Sequence, residues 1–178
     1  MKKLLSAVAM AAIAGSLYAA SSDSLEISMT PVVTYSVAIS TPANGLAYGN
    51  VNLNTTYISP TTATIINNGN VSADWKIKAA ALNTWQLGAT PGLDTVRVLA
   101  VLKSAIAASG EFDTSNDLLT TAEKNMDNVQ FTVDQTGNNV PAAGVRLLTT
   151  RIDTPTDTSV DTEQKFRIDI TAYPSSTF

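Results

Sequence analysis

The chain contains no cysteine and no histidine. The first absence excludes disulfides and thiol nucleophiles. The second removes the side chain that most often acts as a base near neutral pH, and any Ser-His-Asp arrangement with it. Together they take away nearly all zinc, copper and haem ligation. Charge is also scarce: charged residues make up 15% of the chain, and the net charge is −4. Recognition of nucleic acid needs a basic face, so it is not expected, and neither is binding to anionic lipid heads. No glycine-rich phosphate loop is present, and no Asp or Glu stands in a context that suggests paired glycosidase carboxylates. Enzymatic activity and a bound cofactor are therefore not expected.

Long apolar runs are missing too, except at the start. "MKKLLSAVAMAAIAGSLYAA" has two lysines at its head, an apolar stretch from Leu4 to Ala14, and small residues near Ala19 and Ala20. That order predicts a cleaved signal peptide over residues 1–20. Its apolar run is shorter than the roughly 20 residues of a spanning helix, and no later segment is apolar enough to form a transmembrane helix. The expected location is outside the cell or on its surface, with the periplasm as the other compartment left open. Residues 21–178 suffice for one domain with a packed core.

What the sequence does hold is short apolar/polar alternation between turn signals. Leu25, Ile27, Met29, Val33, Tyr35, Val37 and Ile39 share one parity, with polar residues between most of them. This predicts extended chain with one buried face, bent at Pro31. Residues 46–53 read as a short strand with a glycine kink. "TATIINNGNVSADWKIKA" (62–79) reads as a tight hairpin turning at Asn68-Gly69, with Ile65 and Ile66 facing Trp75 and Ile77. "TVRVLAVLKSAIA" is apolar on both parities and predicts a central strand buried on both faces. Residues 108–128 form a long polar loop with one helical turn expected around Leu118 to Lys124. A short strand then opens at Val129. "VRLLTTRID" and "EQKFRIDITAYP" predict two further strands. The total is about eight or nine strands in an antiparallel β-sandwich.

Three groups of side chains are candidates for a site. Asp113, Ser115 and Asp117 occupy alternate positions in "DTSND", as the first oxygen ligands of many calcium loops do. The continuation departs from that pattern, because Leu118 stands where a glycine belongs and Glu123 comes one residue early. The other reading is a solvated loop capping a short turn. Trp85, in the loop-like "LNTWQLG", is the candidate for stacking on a glycan, whereas Trp75 reads as a core residue. Leu25, Ile27 and Met29 are the candidate assembly residues.

"YGNVNLNTTYISPTTATIINNGNVSADWKIKA" resembles a pattern found in secreted bacterial Ig-like sandwiches. It is similar to the strand pair of WxL-type surface domains and of TasA/camelysin-like matrix proteins, with Asn67, Gly69, Asn70 and Trp75 carrying the likeness. The resemblance implies an antiparallel Ig-like β-sandwich acting as an extracellular structural or adhesive protein without enzymatic activity. The expected function is a structural subunit of a filament, matrix or surface layer that self-associates into a homopolymer. The alternative is an adhesin-like module for a glycan or a protein. Residues 21–31 would be a donor or edge strand that completes the sheet of a second copy; the other reading pairs them within their own domain.

Overall fold

The computed structural model describes residues 24–42, 45–127 and 134–175. The expected signal peptide and the short strand opening at Val129 lie outside these residues. The chain divides into two units, Met1–Pro31 and Val32–Phe178. All strands among the described residues belong to the second. They are β1 (Val37–Thr41), β2 (Thr56–Ile58), β3 (Ala63–Asn67), β4 (Ala73–Ala81), β5 (Gln86–Leu87), β6 (Thr95–Lys103), β7 (Lys124–Asn125), β8 (Val145–Asp153) and β9 (Phe166–Pro174), with a single 3-10 turn at Ser109–Glu111. No helix among the described residues is long and apolar enough to cross a membrane.

The strands form two sheets. The larger runs β1-β3-β8-β6-β5, and the smaller runs β7-β4-β9. Strand β2 joins the same edge of β8 as β3, farther along: Thr56 to Ile58 pair with Asp153 to Arg151, and Ala63 to Ile66 pair with Leu148 to Val145. Pro60, which has no N–H to give a ladder, separates the two. Ser59 spans the break by donating its N–H to Thr150 O and accepting the Thr150 N–H on its hydroxyl. The expectation of a purely antiparallel structure is corrected at one place. Strand β5 runs parallel to β6, Gln86 beside Thr95 and Leu87 beside Val96. A two-residue strand carries no periodic signal from which its direction could be read.

Both sheets contribute to one core. Ile65, Val98, Ala100, Leu102 and Leu148 come from the larger sheet, and Trp75, Ile77 and Ala79 from the smaller. Their spacing is the alternation of strands with one buried face: β3 and β4 switch between buried and half-buried at every residue. Strand β6 is buried on both faces, as its unbroken apolar run predicts. Val96, Val98, Ala100 and Leu102 enter the main core, while Leu99 and Val101 enter a second, smaller cluster with Ala107 and Phe112. The loop after β6 therefore covers the outer face of the larger sheet.

Four expectations about local structure give way. The 62–79 segment is not a hairpin: β3 pairs with β1 and β8, whereas β4 pairs with β7 and β9. Ile65 and Trp75 share the core from opposite sheets, and the turn between them is a crossover. Residues 46–53 form no strand, although Gly49 does adopt a left-handed φ of 70°. The N-terminal alternation becomes strand only at Val37–Thr41. No helical turn forms at 118–124. Instead, Leu119 N donates to Val98 O and Ala79 N donates to Thr120 O, so this stretch leaves the edge of β6 and arrives at the edge of β4.

The crossover is organised by asparagine rather than by left-handed backbone. Asn67 is fully buried. Its Nδ2 donates to the carbonyls of Val71, Val140 and Pro141, and its Oδ1 accepts the Gly69 N–H. Its own N–H and C=O bond Gly144 and Ala143. Asn70 holds the incoming chain: Oδ1 accepts from Thr34 N, and Nδ2 donates to Val32 O, both at 2.8 Å. Gly69 is required by proximity, since a Cβ there would lie 2.3 Å from Thr34 O.

Replacing Asn67 with alanine removes four hydrogen bonds and leaves Val71 O and Gly69 N–H without their side-chain partner, while Val140 O and Pro141 O keep the N–H groups of Ala73 and Gly144. An unsatisfied group costs about 1–3 kcal/mol when not rescued by water. The expected loss for Asn67→Ala is about 3 kcal/mol or more, read from urea unfolding. Asn68→Ala, one residue along and exposed, should change stability by less than about 0.5 kcal/mol. Equal effects at the two positions would contradict this account.

Candidate functional site

The candidate calcium residues are built into their own turn. Asp113 Oδ1 accepts the N–H groups of Ser115 and Asn116, both at 2.8 Å, which holds its carboxyl below the usual range. Asp117 Oδ2 accepts the Asp113 N–H at 2.7 Å, and Asp117 N donates to Asp113 O at 3.0 Å. Ser115 is exposed. The Lys124 ammonium donates to the Asn116 carbonyl, so a cation of the protein already sits against the loop. Among the described residues, no group of three or more acidic side chains is placed to hold a metal ion.

Asp117 is the unusual member of this loop. It is fully buried, and its Oδ1 has no hydrogen-bond partner among the described residues. Burial pushes its carboxyl up to about 6, against the opposing pull of the Asp113 amide and of Lys124. Burial also pushes Lys124 down to about 8, with the charges of Asp117 and Asp113 working the other way.

Trp85 is not exposed, which corrects its assignment as a stacking surface. Only 8% of it reaches solvent, and it belongs to the main core. Its Nε1 donates to Thr158 Oγ1 at 2.9 Å, and its backbone N–H donates to Gln164 Oε1. The residue does lie between strands, as its polar neighbours suggest. However, the connection from β4 to β5 passes from one sheet to the other, and the ring is carried inward.

Leu25, Ile27 and Met29 remain without a strand. They are 86%, 73% and 87% exposed, and the segment 24–31 has no ladder partner among the described residues. In the second unit, β1 and β9, like the two-residue β5 and β7, each lack a hydrogen-bonded strand on one edge among the described residues. The inward row of β9, Phe166, Ile168, Ile170 and Ala172, is only partly buried, unlike the fully buried Ile77 and Ala79 of β4.

A recess opens on the smaller sheet beside the end of β9, next to Asn125, Asp127 and Asn138. Asp74 and Lys76 of β4 lie within it, bordered by Asn125, Asp127, Asn138 and Tyr173. Lys76 Nζ stands 4.1 Å from the centre of the Tyr173 ring. The Tyr173 hydroxyl donates to Glu123 at 2.9 Å, and that carboxylate raises the phenol's pKa. Sequence reasoning missed this group because its members come from four separate segments. The available signal was Tyr173, an aromatic ring on the polar parity of the last strand.

The Asp117 carboxyl titrates higher in the folded chain than in the unfolded one, where an Asp lies near 4. Below that value it is protonated in both states. Between about 4 and about 6 the folded state keeps a proton that the unfolded state has lost, so this contribution to stability falls as pH rises. Asp113, held low, contributes the opposite slope at lower pH. Asp117→Asn should therefore gain stability relative to the unsubstituted chain as pH goes from 4 to 7, measured as the difference between urea midpoints. A difference that stays constant over that range would exclude a raised Asp117. No known family model matches this chain, and no curated protein matches it.

Proposed function

We propose that this chain is a non-enzymatic, secreted structural subunit of a cell-surface filament, matrix or surface layer, built as an Ig-like β-sandwich that self-associates. The observation that carries the reading is a pair of complementary features. One is an alternating segment that leaves Leu25, Ile27 and Met29 exposed. The other is a β9 edge with no hydrogen-bonded neighbour among the described residues and a half-buried apolar row behind it. An extended segment added to such an edge gains ladder hydrogen bonds from its backbone and apolar burial from alternate side chains. A second copy supplies that segment. The lack of histidine and cysteine in the sequence supports a role without acid–base or thiol chemistry.

Residues 21–178 should form regular assemblies in negative-stain electron microscopy and sediment as polymers. A chain beginning at Pro31 should sediment as a monomer with an unchanged urea midpoint, because the described residues among those removed, 24–30, make no strand in their own subunit. Because the chain has no native cysteine, a disulfide formed between Ile27→Cys and Ile170→Cys subunits would locate the contact without ambiguity. A full-length chain that remains monomeric over a wide concentration range would overturn the proposal.

A further inference from the structure

Residues 32–36, which enter β1, are fastened to the crossover by hydrogen bonds. Asn68 N donates to Ser36 O at 2.9 Å, and Asn70 N donates to Thr34 O at 3.2 Å. These bonds continue the antiparallel pairing of Val37 with Asn67 past the end of β3. The Asn70 side chain adds the two outermost: Oδ1 accepts from Thr34 N and Nδ2 donates to Val32 O, both at 2.8 Å. Apolar packing holds this stretch weakly, since Val32 is 81% exposed and Val33 46%. Without the Asn70 side chain, the outermost fastened group would be Thr34 O, and Val32 and Val33 would join the segment before them.

On the assembly reading, every copy carries both a donor, the 24–31 segment, and an acceptor, the β9 edge, and the role assigned here to Asn70 rests on that reading. A segment on a short flexible tether meets its own acceptor at an effective concentration of order millimolar, so at micromolar protein an unrestrained donor would favour its own β9 by about a thousandfold. A polymer therefore needs a constraint that denies the segment its own subunit. That advantage disappears only where the tether's geometry forbids closure, and the direction of this tether is set at its root, where Asn70 grips it. We propose that Asn70 is a positioning residue of the assembly. By fixing the backbone from Val32 to Thr34, it withholds the preceding segment from the β9 edge of its own subunit and leaves it to a second copy.

A chain carrying both Ile27→Cys and Ile170→Cys reports the choice, because no native cysteine competes. After oxidation at micromolar concentration, a non-reducing gel separates a monomer bridged within one chain from a ladder bridged between chains. With Asn70 in place the ladder should dominate. Adding Asn70→Ala should raise the ratio of intrachain to interchain bridges at least tenfold. Asn70→Asp keeps an acceptor for the Thr34 N–H and loses the donor to Val32 O, so it should raise the ratio by less; it decides the matter where Asn70→Ala does not fold. Asn68 is exposed and bonds Ser36 through its backbone, so Asn68→Ala should leave the ratio unchanged. A ladder that persists undiminished in the Asn70 variants overturns the role of Asn70 and leaves the assembly standing. A chain with Asn70 intact that forms no interchain bridges overturns the assembly reading and this role with it.

Discussion

The structure turns on one buried amide. Between β3 and β4 the chain must leave one sheet and enter the other, and a segment that changes sheets loses its ladder partners while still inside the protein. Asn67 resolves this with a side chain that can donate twice and accept twice. It ties the crossover to the 140–144 loop through Val140, Pro141, Ala143 and Gly144. The same few residues then fasten the incoming N-terminal stretch through Asn70. A chain with no disulfide thus holds three separate segments at one point using neutral hydrogen bonds alone. Ala143 stands at a left-handed φ of 59° beside that point, a conformation that a non-glycine residue keeps only where its surroundings demand it.

The polar chemistry of the protein follows from how its two sheets are joined. On one side, residues 117–126 run from the edge of β6 to the edge of β4 and close the margin of the core. This takes Asp117 and Lys124 out of water, which explains why the two groups move toward neutrality. The larger sheet handles charge differently. Asp153 is buried, but hydrogen bonds from Thr56, Arg151 and Arg97 outweigh its burial and hold it ionised. The contrast lies in partners, not in depth: Asp153 has two guanidinium groups, whereas one oxygen of Asp117 has none.

Strand β9 could be read directly because the alternation of Phe166, Ile168, Ile170 and Ala172 with polar residues is long and unbroken. So could β6, whose apolar residues on both parities match its place under a covering loop. The hairpin reading of 62–79 failed for a physical reason. Alternation reports that a strand has a buried face, and two facing sheets bury their strands just as one hairpin does, so Ile65 and Trp75 give the same signal in either case. The turn offered the only discriminating clue. Asn68-Gly69 suits a tight hairpin, but the flanking Asn67 and Asn70 bring side chains that bond backbone at a distance, and no local rule reveals that. Trp85 misled in the same way, since a connection that crosses between sheets carries polar residues and still drives one ring inward. The recess was invisible because no single segment contains enough of it.

The unequal margins of the core have a geometric consequence. One margin is bridged by residues 117–126; among the described residues the larger sheet ends on β1 and β5 and the smaller on β7 and β9, of which β1 and β9 are the longer edges. In the assembly proposed above, β9 is the acceptor and the 24–31 segment the donor, so each subunit would carry one of each. Units with one of each link head to tail and cannot branch through that contact, so such an assembly would be a directional chain, open or closed into a ring. A two-dimensional layer would require a second contact of a different kind, made by faces rather than edges.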